Sequence, residues 1–489
     1  MRKTYEYQLT FGNVDISKIK TDSKSRDEID RAVRGLQYLY TNHEIRTAIF
    51  QILEDNILPK VSKRTGRRGM ELWKILVLGV MREVCSWNYD ILHHMANNEL
   101  MIRELLGHDR TEWEDRYYYE LQTLKDNVSL LTPEIIDKIN EIVVKAGHNL
   151  LGGKKKEELH ASADSFVVKT DVHFPTDISL LYDSMRKSIS LTAGICRENN
   201  MVGWRQSEHN IKSLKRELRK VQKAKHSGKA ATEEKIKMVH KGYISKAQLL
   251  LSKVKETLTK ISQEASFDNM LELRIIEIGK YVKYAEQHIG LIERRVIHGE
   301  VIEHSEKIFS IFEPHTRWIS KGKQGVPVEL GLPVTIIKDQ HGYILDYEVM
   351  ETTSDVDVAL PLTTRAKEKF PSIKSCSYDR GYWSPSNRKA LGELIEMPVM
   401  SKKGRLNKSE KVESSSSEFI KLRRQHSSVE SSINGLDHCG LDKCYDHGIF
   451  GFNRCVGLSI LARNIQTLGK HIKEKEDKKR RRKKYKKAA

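Results

Sequence analysis

The strongest constraint on the fold of this chain is a change of hydrophobic period near residue 156. From Arg26 to about Gly147 apolar residues recur at helical spacing, and turn signals cut the segment into short helices. Glu71–Val84 reads as one helix, Ser86-Trp87-Asn88 as a turn, Tyr89–Met95 as a second helix and Glu99–Leu106 as a third that stops at Gly107. Thr132-Pro133-Glu134 opens another, with a cap residue, proline at the first helical position and an acid in the first turn. Residues 1–150 therefore read as an all-α domain. Its short helices and tight turns fit a helix-turn-helix that reads DNA, and equally a plain helical bundle.

After Lys156 the period becomes two. His160–Phe174 is rich in β-branched and aromatic residues and stops at Pro175, which predicts a strand or strand pair. The pattern is helical again between about Ser190 and Lys307. There Ile211, Leu214, Leu218 and Val221 share one face, as do Ile236, Tyr243, Leu250, Val254 and Ile261, and later Val282, Ile289, Ile292 and Val296. Two or three long, coiled-coil-like helices with a narrow apolar seam are expected, with a connection at His226–Thr232.

Strands resume at Pro333–Lys338, which meets Tyr343–Met350 across the hairpin signal Asp339–Gly342. A strand at Ile373–Tyr378, a helix at Ser384–Glu393 and a short strand at Glu396–Met400 follow. The Lys/Gly/Ser-rich stretch 401–417 reads as a mobile loop, and helices at Glu418–Leu436 and Phe450–Lys473 close the fold. This order predicts an α/β domain interrupted by a helical insertion. The expected division is 1–150 helical, 156–189 the first part of the α/β domain, 190–307 the insertion, 308–470 its remainder and 471–489 a basic disordered tail.

Charge points to the partner. The 489 residues hold 85 Lys and Arg against 66 Asp and Glu, a net +19. Residues 470–489 alone hold twelve cations and three acids, so they supply +9 of it. Such a run is either a solvated tail or an arm that binds phosphates through counterion release, with Lys479, Arg480, Arg481 and Arg482 at its centre. No apolar stretch approaches the roughly 20 residues of a membrane span, and no apolar core follows the basic N-terminus as in a secretory signal. Six scattered cysteines read as reduced thiols, and the cytoplasm is the expected compartment. No Gly-rich phosphate loop is present, so no nucleotide cofactor is expected.

Three acids stand out by position: Asp164 within a strand, Asp379 at the C-terminal end of another, and Glu430 midway along a helix. A carboxylate flanked by strand pattern must be paired, protonated or bound to a cation, because burying a lone charge is costly. Any one of them reads as a surface acid, but three on separate elements of one α/β domain suit a divalent-metal site. Hard oxygen ligands favour Mg²⁺, with Mn²⁺ as a substitute, and two such ions about 4 Å apart support phosphodiester cleavage. Asp171 competes with Asp164 for the first position. Asp177 reads as a helix cap, and Glu348 and Asp357 as structural or exposed acids.

The neighbouring residues carry a resemblance. Ala163–Val168 with Phe174–Leu181, Tyr378-Asp-Arg-Gly-Tyr-Trp383, and Arg424-Gln-His-Ser-Ser-Val-Glu430-Ser-Ser-Ile-Asn434 resemble the three catalytic blocks of bacterial insertion-sequence transposases of the DDE type. Phe309–Thr316 with Gly322-Lys-Gln, Gly451-Phe-Asn-Arg with Leu461-Ala-Arg-Asn464, and Leu72–Gly79 with Leu105-Leu-Gly107 are also similar to that family. The likeness covers about residues 60–470. It implies a ribonuclease H-like catalytic domain in which Asp164, Asp379 and Glu430 bind two Mg²⁺ ions. It further implies an enzyme that binds the terminal inverted repeats of its element, cleaves double-stranded DNA at the ends and joins the 3′-OH ends to target DNA, as a homodimer or larger assembly on DNA.

The chain departs from the family twice. The helical block follows the first Asp instead of separating the second Asp from the Glu. The Arg and Lys that some relatives carry around the Glu are replaced by His426 and Asp437. Arg423, Arg424, His426 and Lys443 are the nearby groups expected to reach a phosphate, and helical periodicity puts Arg423 and His426 near the Glu430 face. A catalytically inactive DNA-binding descendant and a nuclease without strand transfer are the alternatives. The Cys and His residues of His438–His447 lack the second half of a zinc site, and Trp204 and Trp318 read as packing residues or as platforms for an unpaired base.

Overall fold

The structure, a computed structural model, describes residues 14–22, 25, 27–57, 69–108, 117–152, 158–226, 232–264, 269–320, 327–402 and 404–488. The chain divides into two compact units, one of residues 1–171 and 323–489, the other of residues 172–322.

The first unit begins with helices α1 (Glu28–Thr41), α2 (His43–Ile57), α3 (Leu72–Val84), α4 (Tyr89–Asn98), α5 (Leu100–Leu105), α6 (Leu121–Val128) and α7 (Pro133–Leu151). Their ends follow local chemistry. Asn88 Oδ1 accepts the Ile91 N–H at 2.8 Å to start α4, Thr132 caps α7 with Pro133 behind it, and Gly107 takes φ +80° where the chain turns after α5. Nearly every residue of α3 is buried, so this helix forms the centre of the helical layer. Its two buried charges, Arg82 and Glu83, are neutralised locally, with Arg82 Nη1 3.0 Å from Glu83 Oε1 and Arg82 Nη2 2.6 Å from Asp446 Oδ1.

Strand β1 (Leu159–Thr170) follows, and the chain then enters the second unit: α8 (Asp177–Glu198), α9 (Ser207–His226), α10 (Glu233–Glu264), α11 (Asn269–Ile292) and the short strand β2 (Arg317–Ser320). The expected seam is its core: Leu214, Leu218, Val221, Tyr243, Leu250, Val254, Ile261, Val282, Ile289 and Ile292 pack with Leu181, Met185 and Ile189 of α8. The compact unit is wider than the 190–307 expected, because α8 supplies a face that α9–α11 need in order to bury their own. Trp204 belongs to this core and donates to Thr257 Oγ1 at 3.0 Å, and Trp318 packs on Phe174 and Phe309. Most of the connection expected at 226–232, and Gly322-Lys-Gln of the resemblance, lie outside the described residues.

Back in the first unit come β3 (Val328–Lys338), β4 (Ile344–Val349), α12 (Asp355–Lys369), β5 (Ile373–Tyr378), α13 (Pro385–Leu394), β6 (Met397–Met400), α14 (Lys408–Ser414), α15 (Ser417–Gln425), α16 (Ser428–Leu436), the two-residue strand β7 (Lys443–Cys444) and α17 (Gly448–Ala488). β1 is central. β3 runs antiparallel on one edge of it and carries β4 antiparallel in turn, while β5 runs parallel on the other edge and carries β6. Gly342 turns the β3–β4 hairpin at φ +88°.

Alternation along β1 feeds two cores. Ala161 and Ala163 join a core that also holds α3, α7 and α12, whereas Phe166 and Val168 on the opposite face pack with Val429 and Leu436 of α16 and Phe452 and Val456 of α17. The N-terminal helices and the sheet therefore share one core, and residues 1–150 do not form the separate compact unit expected from the hydrophobic pattern.

Three local expectations are corrected. Residues 401–417 are not all loop, because Asn407 and Glu410 form a capping box that starts α14. The helix expected at Glu418–Leu436 is interrupted at His426–Ser427, where the Ser427 hydroxyl donates to the Arg424 carbonyl at 3.0 Å and the Val429 N–H donates to His426 O at 2.9 Å, tightening the turn. The tail expected to be disordered from 471 continues α17 through Ala488. Its Lys, Arg and Glu residues are strong helix formers, and they extend a helix already nucleated in the core.

Candidate active site

The last rung of the parallel β1–β5 ladder pairs Ala163 with Tyr378. β5 ends there, while β1 runs on against β3 as far as Lys169 and meets β7 only at Lys169–Lys443. Residues 164–168 thus leave one edge of β1 open on the β5 side. Asp164 is the first residue of this opening, and Asp379 is the first residue past the end of β5, so the two carboxylates occupy the next position in register. Loops at the carboxyl end of a parallel strand, where the sheet changes direction, are the usual place for a ligand crevice.

The environment of Asp164 shows how the pair is held. Burial pushes its carboxyl above the ordinary range; the Ser165 N–H, which it accepts at 2.8 Å, and the charge of His426 pull it down, while Asp379 and Asp355 push it up again. Asp379 is exposed and starts the turn Arg380–Tyr382. Tyr382 is buried beneath the site, its hydroxyl 3.1 Å from Thr335 Oγ1, and Tyr378 is hydrogen-bonded to Thr363 at 2.7 Å. The tyrosines of Tyr378-Asp-Arg-Gly-Tyr therefore anchor the segment that presents Asp379.

A cleft of about 300 Å³ opens beside Asp379, with Ser377, Arg380, Arg423 and His426 in its walls. His426 Nδ1 lies 3.1 Å from the Ser377 hydroxyl, which also donates to Ser162 Oγ at 2.9 Å. A second hollow of about 460 Å³ shares Arg380 and Arg423 with the first and adds Trp383, Arg388 and Lys402. Asp379 thus stands beside Arg380 and Arg423, while Arg388 and Lys402 of the second hollow are paired with its Glu413 and Glu410.

Glu430 lies on α16, over the same face of the sheet as Asp164, one residue past the buried Val429, but its own side chain is exposed and does not line the cleft. Among the described residues no three His, Cys, Asp or Glu side chains are grouped closely enough to hold a metal ion. Asp164 and Asp379 fit the donor set of a hard divalent cation, two carboxylates whose mutual repulsion a cation would relieve. The third expected donor is not assembled with them.

The other sequence candidates are dispersed over both units. Arg423 and His426 come together with Asp379, whereas Arg424 is exposed outside that cleft. Lys443 is held by Asp171 at 2.5 Å. Asp171 itself is seven residues along the chain from Asp164, about 23 Å at strand rise, and so belongs to the other end of the opening. Asp177 pairs with Arg295 at 2.9 Å, Glu348 with Arg365 at 2.8 Å, and Asp357 closes the capping box of Ser354. Lys479, Arg480, Arg481 and Arg482 are exposed along α17.

Sequence reasoning missed Asp355. It is the first residue of α12, and a side chain at Gly381 would meet its Oδ2 at 2.9 Å, so it sits against the Asp379 segment. Its signal, an acid after a helix-capping serine, is indistinguishable in sequence from ordinary capping. Among the described residues no helix is long and apolar enough to cross a membrane. Comparisons with protein-family models, with curated proteins and with solved structures find no match.

Proposed function

We propose that this chain is a DNA transposase of the DDE type, with a ribonuclease H-like catalytic domain that cleaves the ends of its element and joins their 3′-OH groups to target DNA. The observation that carries the reading is the placement of Asp164 and Asp379 in neighbouring register at the open edge of β1, with Asp379 beside a cleft lined by Arg380, Arg423 and His426. The order of strands and helices and the motif resemblance support it, as does the net charge of +19.

Asp164 and Asp379 would hold Mg²⁺, with Glu430 as the third expected donor. The bound ions would activate the attacking water or 3′-hydroxyl and stabilise the leaving oxygen. Arg380 and Arg423, both in the wall of the cleft, would bind the phosphates flanking the scissile bond and fix the strand against the acids. His426, 3.1 Å from the Ser377 hydroxyl, would contact the same phosphates from the wall of the cleft. Both element ends must be held together before joining, so a homodimer on DNA is part of the proposal.

Incubation of the purified protein with a linear fragment carrying the DNA that flanks its gene, plus a supercoiled plasmid, tests it. Metal-dependent nicks at fixed positions and joined products support a transposase, and nicks without joints indicate a nuclease. A second reading, a DNA-binding descendant without catalysis, draws on the exposed position of Glu430. Binding with no nicks in Mg²⁺ or Mn²⁺ would favour it.

A further inference from the structure

A cavity of about 420 Å³ is lined by residues of the β3–β4 turn, α1, α16 and α17. Four cations line it, Arg31, Lys338, Arg463 and Lys470, and no carboxylate is among the described residues of its wall. Two of its donors are buried and incompletely used. Lys338 is 5% exposed and gives two of its three ammonium hydrogens to Ser428, the carbonyl at 3.0 Å and the hydroxyl at 2.8 Å. Gln466 is 2% exposed; its Oε1 accepts from Cys439 Sγ at 3.2 Å and from Arg463 Nη1 at 3.5 Å, while its Nε2 has no partner among the described residues.

The acid nearest to Lys338 in sequence does not neutralise this cavity. Asp339 is turned away, with its Oδ2 2.6 Å from His148 Nε2 and its Oδ1 accepting the N–H groups of His341 and Tyr343 at 2.9 Å each. What remains, beside a loose Lys470–Glu474 pair at 3.9 Å, is a concave surface of cations with a spare ammonium hydrogen on Lys338 and, among the described residues, an unpaired amide on Gln466. Such a set calls for a ligand that is anionic and has several acceptor oxygens, since an unpaired buried donor is costly.

We propose that this cavity is a phosphate-binding site that takes the backbone of a DNA strand. The identification of the strand as DNA rests on the function proposed above; the anionic chemistry of the site does not. Burial lowers the pKa of Lys338, and a phosphate at this position would reverse that shift. Ser428, Ser431 and Ser432 of the wall flank Glu430 on α16, so a strand bound here would brace the helix that carries the third expected acid.

The test is fluorescence-anisotropy titration of the full-length protein with a labelled duplex at several NaCl concentrations, for the wild type, Arg463→Ala, Lys470→Ala and Gln466→Glu. Lys470 is exposed, so its removal leaves the core untouched even if Gln466→Glu perturbs folding. Each alanine variant should weaken binding about five- to tenfold and lower the slope of log K against log salt by about 0.9 for each phosphate no longer neutralised. A parallel arm measures competition by inorganic phosphate. Unchanged salt slopes in both alanine variants overturn the proposal, and so does inorganic phosphate displacing the duplex from the wild type but not from the alanine variants at equal ionic strength, which would make the site one for free phosphate. The cleavage assay separates the two readings. Lowered slopes without any cleavage keep this site and discard the transposase, whereas cleavage with unchanged slopes does the reverse.

Discussion

Asp164 and Asp379 stand side by side one step beyond the Ala163–Tyr378 rung, where β5 ends and β1 continues. The pairing arises because one strand of a parallel ladder is longer than its neighbour, so two residues distant in sequence meet at a sheet edge. If the proposed function holds, Asp379→Ala should abolish cleavage while leaving duplex affinity within about twofold, because it would remove a metal donor and leave the nearby cations in place. Retained cleavage in a nicking assay would sink the assignment.

Asp164 also has a cost that can be measured without DNA. Burial, reinforced by Asp379 and Asp355, raises its folded pKa, so the native state holds this proton more tightly than the unfolded chain. Its contribution to stability is complete below the unfolded value and lost as pH rises through the folded one. Asp164→Asn should raise the melting temperature at pH 8 without metal and leave it unchanged near pH 3. A variant less stable than the wild type at pH 8 would contradict this.

His288 of α11 is fully buried, and neither ring nitrogen has a hydrogen-bond partner among the described residues. Burial lowers its pKa to about 4 against the weaker opposing charge of Asp177. Above the ordinary histidine value both states are neutral; as pH falls from about 6.5 to about 4 only the unfolded chain gains the proton, and stability falls by up to about 3 kcal/mol. Urea melts of the wild type and His288→Leu between pH 7 and pH 4 should show a smaller acid loss in the variant. Parallel curves would exclude His288 as the source.

Helices α1 and α17 cross with almost no space between them. A β-carbon at Gly469 would collide with the Arg31 carbonyl oxygen, and one at Gly35 with the Ile465 carbonyl oxygen. Gly469→Ala should cost about 1–3 kcal/mol, since neither backbone can retreat. In contrast, Gly242→Ala in α10, which meets nothing within 4 Å, should stabilise by about 0.5–1 kcal/mol. Equal denaturation midpoints for the two variants would disprove the close crossing.

Deleting residues 478–489 removes nine cations from the end of α17. Duplex binding should weaken at about 50 mM salt and converge on the wild-type value at high salt, because the missing contribution is counterion release. A salt slope that survives the deletion would make this segment a bystander.

The sequence by itself determined what depends on neighbours along the chain. The caps at Asn88 and Thr132, the turn at Gly342, the β3–β4 hairpin and the apolar seam of α9–α11 all follow from side chains within a few residues of one another, and each was legible as a pattern. The positions of Asp164 within a strand and of Asp379 just past another were legible too, because the strand pattern on either side of them is local. Tertiary structure decided what depends on packing between distant segments. It merged the N-terminal helices with the sheet into one core, left Glu430 exposed while bringing Asp355 to Gly381, engaged Lys443 with Asp171, and turned Lys338 and Gln466 into one cavity. None of these is encoded in a local period, since burial and charge pairing are set by which surfaces meet once the chain has closed on itself.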